Sequence, residues 1–144
     1  MSLLTEDICK AREAVIQAHV VAETHQHSVA GTIATFRHPR YEIPAFGLIA
    51  EGSGEVNEFL TVFLRTFPDL WLTTKSIYHS EAASFVEVEF GATQYEDWNG
   101  VKNAGRAFKV DSVLVFMFEG ADLVCEKLYL DSATIVRQLS GEKS

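Results

Sequence analysis

The chain has few of the residues that mark several protein classes. It has two cysteines, Cys9 and Cys125, in unlike contexts, which read as reduced cytosolic thiols and not as a disulfide frame or a metal knot. It has three prolines, and no Pro-rich linker, repeat or low-complexity tract breaks it. Lysine and arginine number 12 against 20 aspartates and glutamates, a net charge of -8, with no basic cluster. That balance argues against nucleic acid and anionic membrane as partners, because both need a basic footprint. No apolar run approaches the length of a membrane span. Met1–Lys10 lacks an apolar signal core and carries Glu6 and Asp7, so a cytoplasmic location is expected over secretion.

What is present suits one domain over residues 1–144. A chain of this size buries roughly two-thirds of its unfolded surface. Ten Phe, four Tyr and two Trp are enough to wall a pocket as well as fill a core.

The first helix is expected from Thr5 to about Gln26, with Ile8, Ala11, Val15, Ala18 and Ala22 recurring at helical spacing. Ser28 suits the cap of a short second helix through Phe36, stopped by His38-Pro39. Pro44–Ala50 reads as an extended connector. Ser53 suits the cap of a third helix to Thr66, with Val56, Phe59, Leu60, Phe63 and Leu64 inward. Strand signals follow over Leu70–His79, Ser84 to about Tyr95, Arg106–Phe118 and Leu123–Asp131. Asp97-Trp98-Asn99-Gly100 opens a loop, and a last helix covers Ser132–Leu139. Three helices, a four-stranded antiparallel meander and a terminal helix make an α+β fold. Gly91 inside a strand is expected to mark the bulge that curves the sheet.

The last hairpin draws attention. Alternation puts Cys125, Lys127, Tyr129 and Asp131 on one face, and Val124, Glu126, Leu128 and Leu130 on the other. Asp131 suits two roles: a carboxylic acid in an apolar pocket, with the raised pKa that proton transfer needs, or the cap of the following helix.

Five segments, His38-Pro39-Arg40-Tyr41-Glu42, Phe67-Pro68-Asp69, Phe90-Gly91-Ala92-Thr93, Gly105-Arg106-Ala107-Phe108, and Glu126 with Tyr129, Asp131 and Gln138-Leu139, occur in an informative order. By that order the chain resembles the nuclear-transport-factor-2-like superfamily, within it the SnoaL-like polyketide cyclases. The resemblance implies a cone-shaped, curved antiparallel sheet wrapped on N-terminal helices, a cystatin-like roll with a deep apolar pocket. It implies a homodimer through the outer face of the sheet. It also implies a strand-end Asp, here Asp131, as acid and base in an intramolecular aldol closure. Where the branch often reads Gly-Thr-His, this chain has Ala92-Thr93-Gln94.

The expected catalytic residues are therefore Asp131, with Tyr129 on its face and His38 near the pocket mouth, to stabilise an oxyanion. Tyr41, Asp69, Glu89, Gln94 and Arg106 are the expected substrate contacts. Each has a plainer role open to it: core aromatic, loop anchor, strand start, or solvated face. His19, Glu23 and His27 share a helix face and could ligate zinc, yet no zinc-protease motif is present and a wet helix face explains them as well. The expectation is no metal and no cofactor. The expected activity is acid/base chemistry on a small apolar carbonyl compound, with cyclase, isomerase and dehydratase all fitting. The alternative is a non-catalytic ligand-binding or scaffold domain.

Overall fold

The computed structural model describes residues 4–142, so the first three residues of the Met1–Lys10 stretch lie outside the described residues. Its elements are α1 (Glu6–Thr24), α2 (Val29–Ile33), β1 (Arg40–Ile43), β2 (Leu48–Glu51), α3 (Gly52–Thr66), β3 (Trp71–His79), β4 (Ala83–Thr93), β5 (Ala107–Glu119), β6 (Asp122–Leu130) and α4 (Ser132–Leu139). A 3-10 turn, Pro44–Phe46, joins β1 to β2. No helix among the described residues is long and apolar enough to cross a membrane.

The strands form one curved, unclosed sheet of six, ordered β2-β1-β6-β5-β4-β3. The four long strands make the expected meander. The other two strands lie where a helix exit and a connector were expected. β1 pairs antiparallel with β2 but parallel with β6, through Tyr41↔Glu126 and Glu42↔Lys127. The sheet is thus antiparallel except at this seam. Four-residue strands with one β-branched residue each, Ile43 and Ile49, carry too little periodicity to be read from sequence. The seam matters because it sets Tyr41 beside Glu126.

Curvature does not come from a bulge at Gly91. The register shifts instead between Thr74 and Ser76, and between Met117 and Phe118. Gly91 serves close approach: a Cβ there would collide with the Phe108 carbonyl oxygen and the Trp71 ring. The Asp97–Gly100 turn is as expected, with Asn99 and Gly100 at positive φ between bridged Trp98 and Val101.

Helix ends follow their caps. The Thr5 side chain accepts from Ile8 N, and the Ser28 side chain accepts from Gly31 N. Ser53 is not a cap. Glu51 occupies the N-cap position of α3, and its N–H donates to Glu55 Oε1 at 2.9 Å, one residue beyond the place a capping box would use.

The buried face of α1 is not the alanine-rich stripe. It carries Arg12, Ile16, His19 and Ala22, while Ala11 and Ala18 face solvent. Arg12 plugs the narrow end of the sheet. Its guanidinium donates to Gly120 O at 2.7 Å, Ser80 O at 2.6 Å and Glu81 O at 2.6 Å, and lies over the Phe118 ring. It therefore ties α1 to two hairpin turns. Between α1, α3 and the inner sheet face lies the apolar core, including Ile43, Leu60, Phe67, Val86, Phe90, Leu114, Phe116 and Ile135.

Candidate active site

His19 is the centre of the polar group inside this core. It is 2% exposed, one turn below Glu23 on α1. Its Nδ1 lies 2.8 Å from Thr35 Oγ1, whose hydroxyl donates to Thr32 O. The Thr35 oxygen must then accept, so Nδ1 carries a proton and Nε2 points to the interior. Nε2 lies 3.1 Å from the Tyr41 hydroxyl, 3.3 Å from Glu23 Oε2 and 2.7 Å from Glu126 Oε1. Tyr41 donates onward to Glu23 Oε2 at 3.2 Å. Phe36 and Phe116 meet the imidazole edge-on, each at 5.4 Å.

Glu126 is 4% exposed. Its contact with His19 is close enough for an ion pair but lacks hydrogen-bond alignment, and Oε1 has no hydrogen-bond partner. A buried oxygen in that state is available to a guest. Burial opposes a charge on His19, but Glu126 and Glu23 outweigh it and raise the imidazole to about 10. Burial pushes the Glu126 carboxyl up, against the pull of His19. Burial, reinforced by the two carboxylates, holds the Tyr41 phenol well above its usual value.

His19, Glu23 and Glu126 of this group form the polar end of a partly open chamber of about 30 Å³, otherwise walled by Val20, Thr24, Phe63, Leu70, Leu72, Phe90, Leu114 and Leu128. The chamber has polar groups at one end and hydrocarbon elsewhere, the pattern of a site for a small apolar molecule with one reactive polar group. Donor atoms of His19, Glu23 and Glu126 lie within 4.8 Å of one another, a set with the chemistry for a divalent cation. A cation there would have to displace the proton from Nε2.

Of the expected catalytic and substrate-contact residues, the structure brings Tyr41 to this polar group, through His19 and Glu23, and of the helix face considered for zinc it brings His19 and Glu23. Asp131 lies elsewhere. Tyr129 and Asp131 do continue one face of the last strand, but it is the outer one. Tyr129 is 48% exposed. Asp131 is exposed and caps α4, accepting from Thr134 N at 3.1 Å and Thr134 Oγ1 at 2.7 Å. Those bonds hold its carboxyl below the ordinary value, the reverse of a pocket acid. His38 is exposed and pairs with Glu51. Asp69 fixes the start of β3, accepting from Thr93 N and Thr93 Oγ1 at 2.7 Å each. Glu89 is on the outer face, beside Thr73 and Asp111. Arg106 is exposed and reaches Leu139 O. Gln94 is buried, but its Nε2 donates to Glu96 O and Val101 O, so it pins the loop after β4.

His19, Glu23, Thr35 and Glu126 were not expected in the site. Two signals were available. His19 and Glu23 share a helix face, although His27 leaves it, with φ 49 and a bond to Leu70 O. Glu126 stands at two-residue spacing from Leu128 and Leu130, a carboxylate on an otherwise apolar strand face.

A family model described as SnoaL-like polyketide cyclase matches residues 32–139. No curated protein matches the chain. Among solved structures, a candidate SnoaL-like polyketide cyclase from Jannaschia sp. CCS1 superposes with a TM-score of 0.77 at 15% identity, covering 93% of this chain and 94% of that one. A candidate polyketide cyclase from Acidithiobacillus ferrooxidans gives 0.76 at 17% identity, covering 99% and 100%. AclR, a candidate hydroxylase from Streptomyces galilaeus, gives 0.74 at 19% identity, covering 92% and 83%. At these identities the structures share the fold.

Proposed function

The chain belongs to the SnoaL-like polyketide cyclase family, and from that premise we propose that it is a cofactor-independent acid/base enzyme acting on a small apolar carbonyl compound in the chamber. One observation carries this reading: a buried carboxylate oxygen without a hydrogen-bond partner, 2.7 Å from a buried imidazole nitrogen, at the end of an apolar cavity.

The roles follow from charge. Glu126 Oε1 takes a proton from the carbon beside the carbonyl. The electron pair moves into the carbonyl, and the developing oxyanion accepts from the His19 Nε2–H. Thr35 and Tyr41 hold the imidazolium in the required orientation. The enolate then either regains the proton from Glu126 at another carbon, an isomerisation, or attacks a second carbonyl of the same molecule, whose oxygen takes that proton from Glu126 as the new carbon–carbon bond forms, an aldol closure. The apolar walls leave room for little water and so strengthen both charges.

A homodimer through the outer sheet face is part of this proposal. That face presents Tyr78, Phe85 and Tyr129, each more than one-third exposed. Two free thiols, Cys9 and the buried Cys125, fit a cytoplasmic setting.

The second reading is a ligand-binding or scaffold domain without turnover. It is favoured by the chamber's size, about 30 Å³, room for about two waters. Exchange of α-protons separates the two. In D2O, the protein should wash deuterium into a panel of small ketones and diketones, and Glu126→Gln should abolish this. A wild-type protein that binds such a compound but exchanges none of its protons would establish the second reading.

A further inference from the structure

His19, Glu23 and Glu126 are placed for a second use. Among the described residues they form the one set of three such side chains whose ligand atoms all lie within 4.8 Å of one another. His19 Nε2 stands 3.3 Å from Glu23 Oε2 and 2.7 Å from Glu126 Oε1. Ligands bonded to one tetrahedral zinc ion are about 3.3 Å apart. The first pair already has that spacing. The second has to open slightly, and Glu126 Oε1 has no hydrogen bond to break in doing so.

Three further features fit an ion. Glu126 is 4% exposed, so its unpartnered oxygen is a buried acceptor with no protein donor assigned to it. The far side of the imidazole is fixed as in metal-bound histidines, whose other nitrogen donates to an outer partner. Here Nδ1 donates to Thr35 Oγ1 at 2.8 Å, and Thr35 donates in turn to Thr32 O, which leaves Nε2 as the ligand atom. Tyr41 likewise orients Glu23 by donating to its Oε2 at 3.2 Å. Finally, the chamber beside these atoms has room for about two waters, enough to complete a shell of four or five ligands. Calcium takes six to eight oxygens and magnesium demands an octahedron, so the set suits neither. One imidazole, two carboxylates and water suit zinc and cobalt.

We propose that His19, Glu23 and Glu126 form a binding site for a divalent cation of the zinc class, and that an ion bound there shuts off the acid/base site. Binding sends the Nε2 proton to solvent. A neutral ring and two carboxylates then balance a doubly charged ion. The same two carboxylates that favour a single charge on the ring attract a double charge more strongly. The ion occupies both the imidazole nitrogen that would face an oxyanion and the carboxylate oxygen that would take a proton. The site stands on its geometry alone, and only the shut-off rests on the acid/base reading.

The test starts from wild-type protein stripped with a chelator. Calorimetry should show Zn2+ binding at one site per chain with a Kd of about 10 μM or tighter. Co2+ should give the strong visible bands of a four- or five-coordinate ion, and it should shift or broaden the His19 ring resonances. Mg2+ and Ca2+ should not compete. Glu126→Gln removes a ligand and should weaken zinc at least about tenfold. Thr35→Val removes the outer partner of the ring and should weaken it roughly 10–100-fold. His38→Asn, at an exposed His–Glu pair, should change nothing. Circular dichroism checks that each variant is folded, and the wild-type cobalt spectrum decides even where one is not. Weaker zinc binding, a six-coordinate cobalt spectrum, an unmoved His19 ring, or binding that is lost in His38→Asn and kept in Glu126→Gln overturns the site. Exchange of α-protons at full rate in the zinc-loaded protein overturns the shut-off. A metal-free protein that exchanges but binds no zinc keeps the acid/base reading and sinks this one; zinc bound as expected by a protein that exchanges nothing does the reverse.

Discussion

Glu126 Oε1 and His19 Nε2 lie 2.7 Å apart without an aligned hydrogen bond, joining β6 to α1 by charge inside an aromatic shell. A buried carboxylate oxygen paired to a cation by charge, without an aligned hydrogen bond, is suited to turn to a third group. Glu126→Gln keeps the shape and removes the base. Turnover or α-proton exchange should fall roughly 10²–10⁴-fold. The His19 imidazole should titrate lower, since Glu23 alone remains to favour its charge. Rates on a substrate established for the wild type measure the first effect, and NMR titration of the ring the second. Unchanged rates would remove Glu126 from the mechanism.

The same pair makes stability depend on pH. His19 is raised from an ordinary value near 6.5 to about 10 in the folded chain. The folded state therefore holds this proton more tightly than the unfolded state. Its contribution is fully present below about pH 6.5 and is lost as pH rises through about 10. Denaturant unfolding at successive pH values should show stability declining across that window. Cys125, raised by burial to about 12, adds a decline of the same sign above its ordinary value of 9.0. His19→Asn should flatten the curve between pH 6.5 and about 9. A wild-type curve that is level there would mean that the imidazole is neutral in the folded protein.

The fold was legible because the long strands and helices carry strong periodicity and clear caps. The site was half legible, and the reason is geometric. Glu126 faces inward opposite Phe116, and Tyr129 faces outward opposite Val113. The alternation on β6 was readable, yet which face met the pocket was not. Tyr129 with Asp131 suggested chemistry, with a cap the other role open to Asp131; the structure puts Tyr129 and Asp131 on the outer side and Glu126 on the inner one. On α1 the misleading cue was hydrophobicity itself. Arg12 and His19 are buried because partners from distant turns and strands satisfy them, and those partners are invisible in a helical wheel. Tyr41 was named for its position in a family segment, but its place beside Glu126 depends on a parallel seam that short β1 could not announce.

Arg12 should matter for folding more than any exposed charge. It supplies donors to the carbonyls of Gly120, Ser80 and Glu81. Arg12→Met fills similar space but removes three hydrogen bonds made by a charged group, worth about 1.5–3 kcal/mol each. We expect a loss of about 3 kcal/mol or more, with Arg12→Lys intermediate because an ammonium cannot reproduce the fork. Chemical denaturation measures this. A loss within about 0.5 kcal/mol of zero would show that water replaces the guanidinium at no cost.

Asp131 should behave as a cap. Asp131→Asn should leave turnover unchanged and melting temperature nearly so, because Asn keeps the cap and loses only the charge. Asp131→Ala should lower the melting temperature by about 2–4 °C without touching turnover. The carboxyl is held low by Thr134, so its contribution is present above its ordinary value of 3.8 and is lost as pH falls through the lowered one. Scanning calorimetry near neutral and near pH 3 checks both points. A large drop in turnover for Asp131→Asn would return this residue to the mechanism.

The outer sheet face supplies the last prediction. Tyr78 and Phe85 are register partners on β3 and β4, and Tyr129 stands on the same face of β6. They are 60%, 37% and 48% exposed, too much aromatic surface on one face to leave in water without consequence. Lys75–Asp111 and the Ser76–Glu87 hydrogen bond frame them with polar groups that are already paired. An aromatic patch with satisfied polar surroundings suits a self-complementary, two-fold contact, in which each ring meets its counterpart. Sedimentation at micromolar concentration should give twice the 16.0 kDa chain mass. Phe85→Glu, which puts a like charge on both sides of a two-fold axis, should give monomers and leave the inner chamber intact. A wild-type protein that sediments as a monomer would mean that these rings stay in solvent and that the site is complete within one chain.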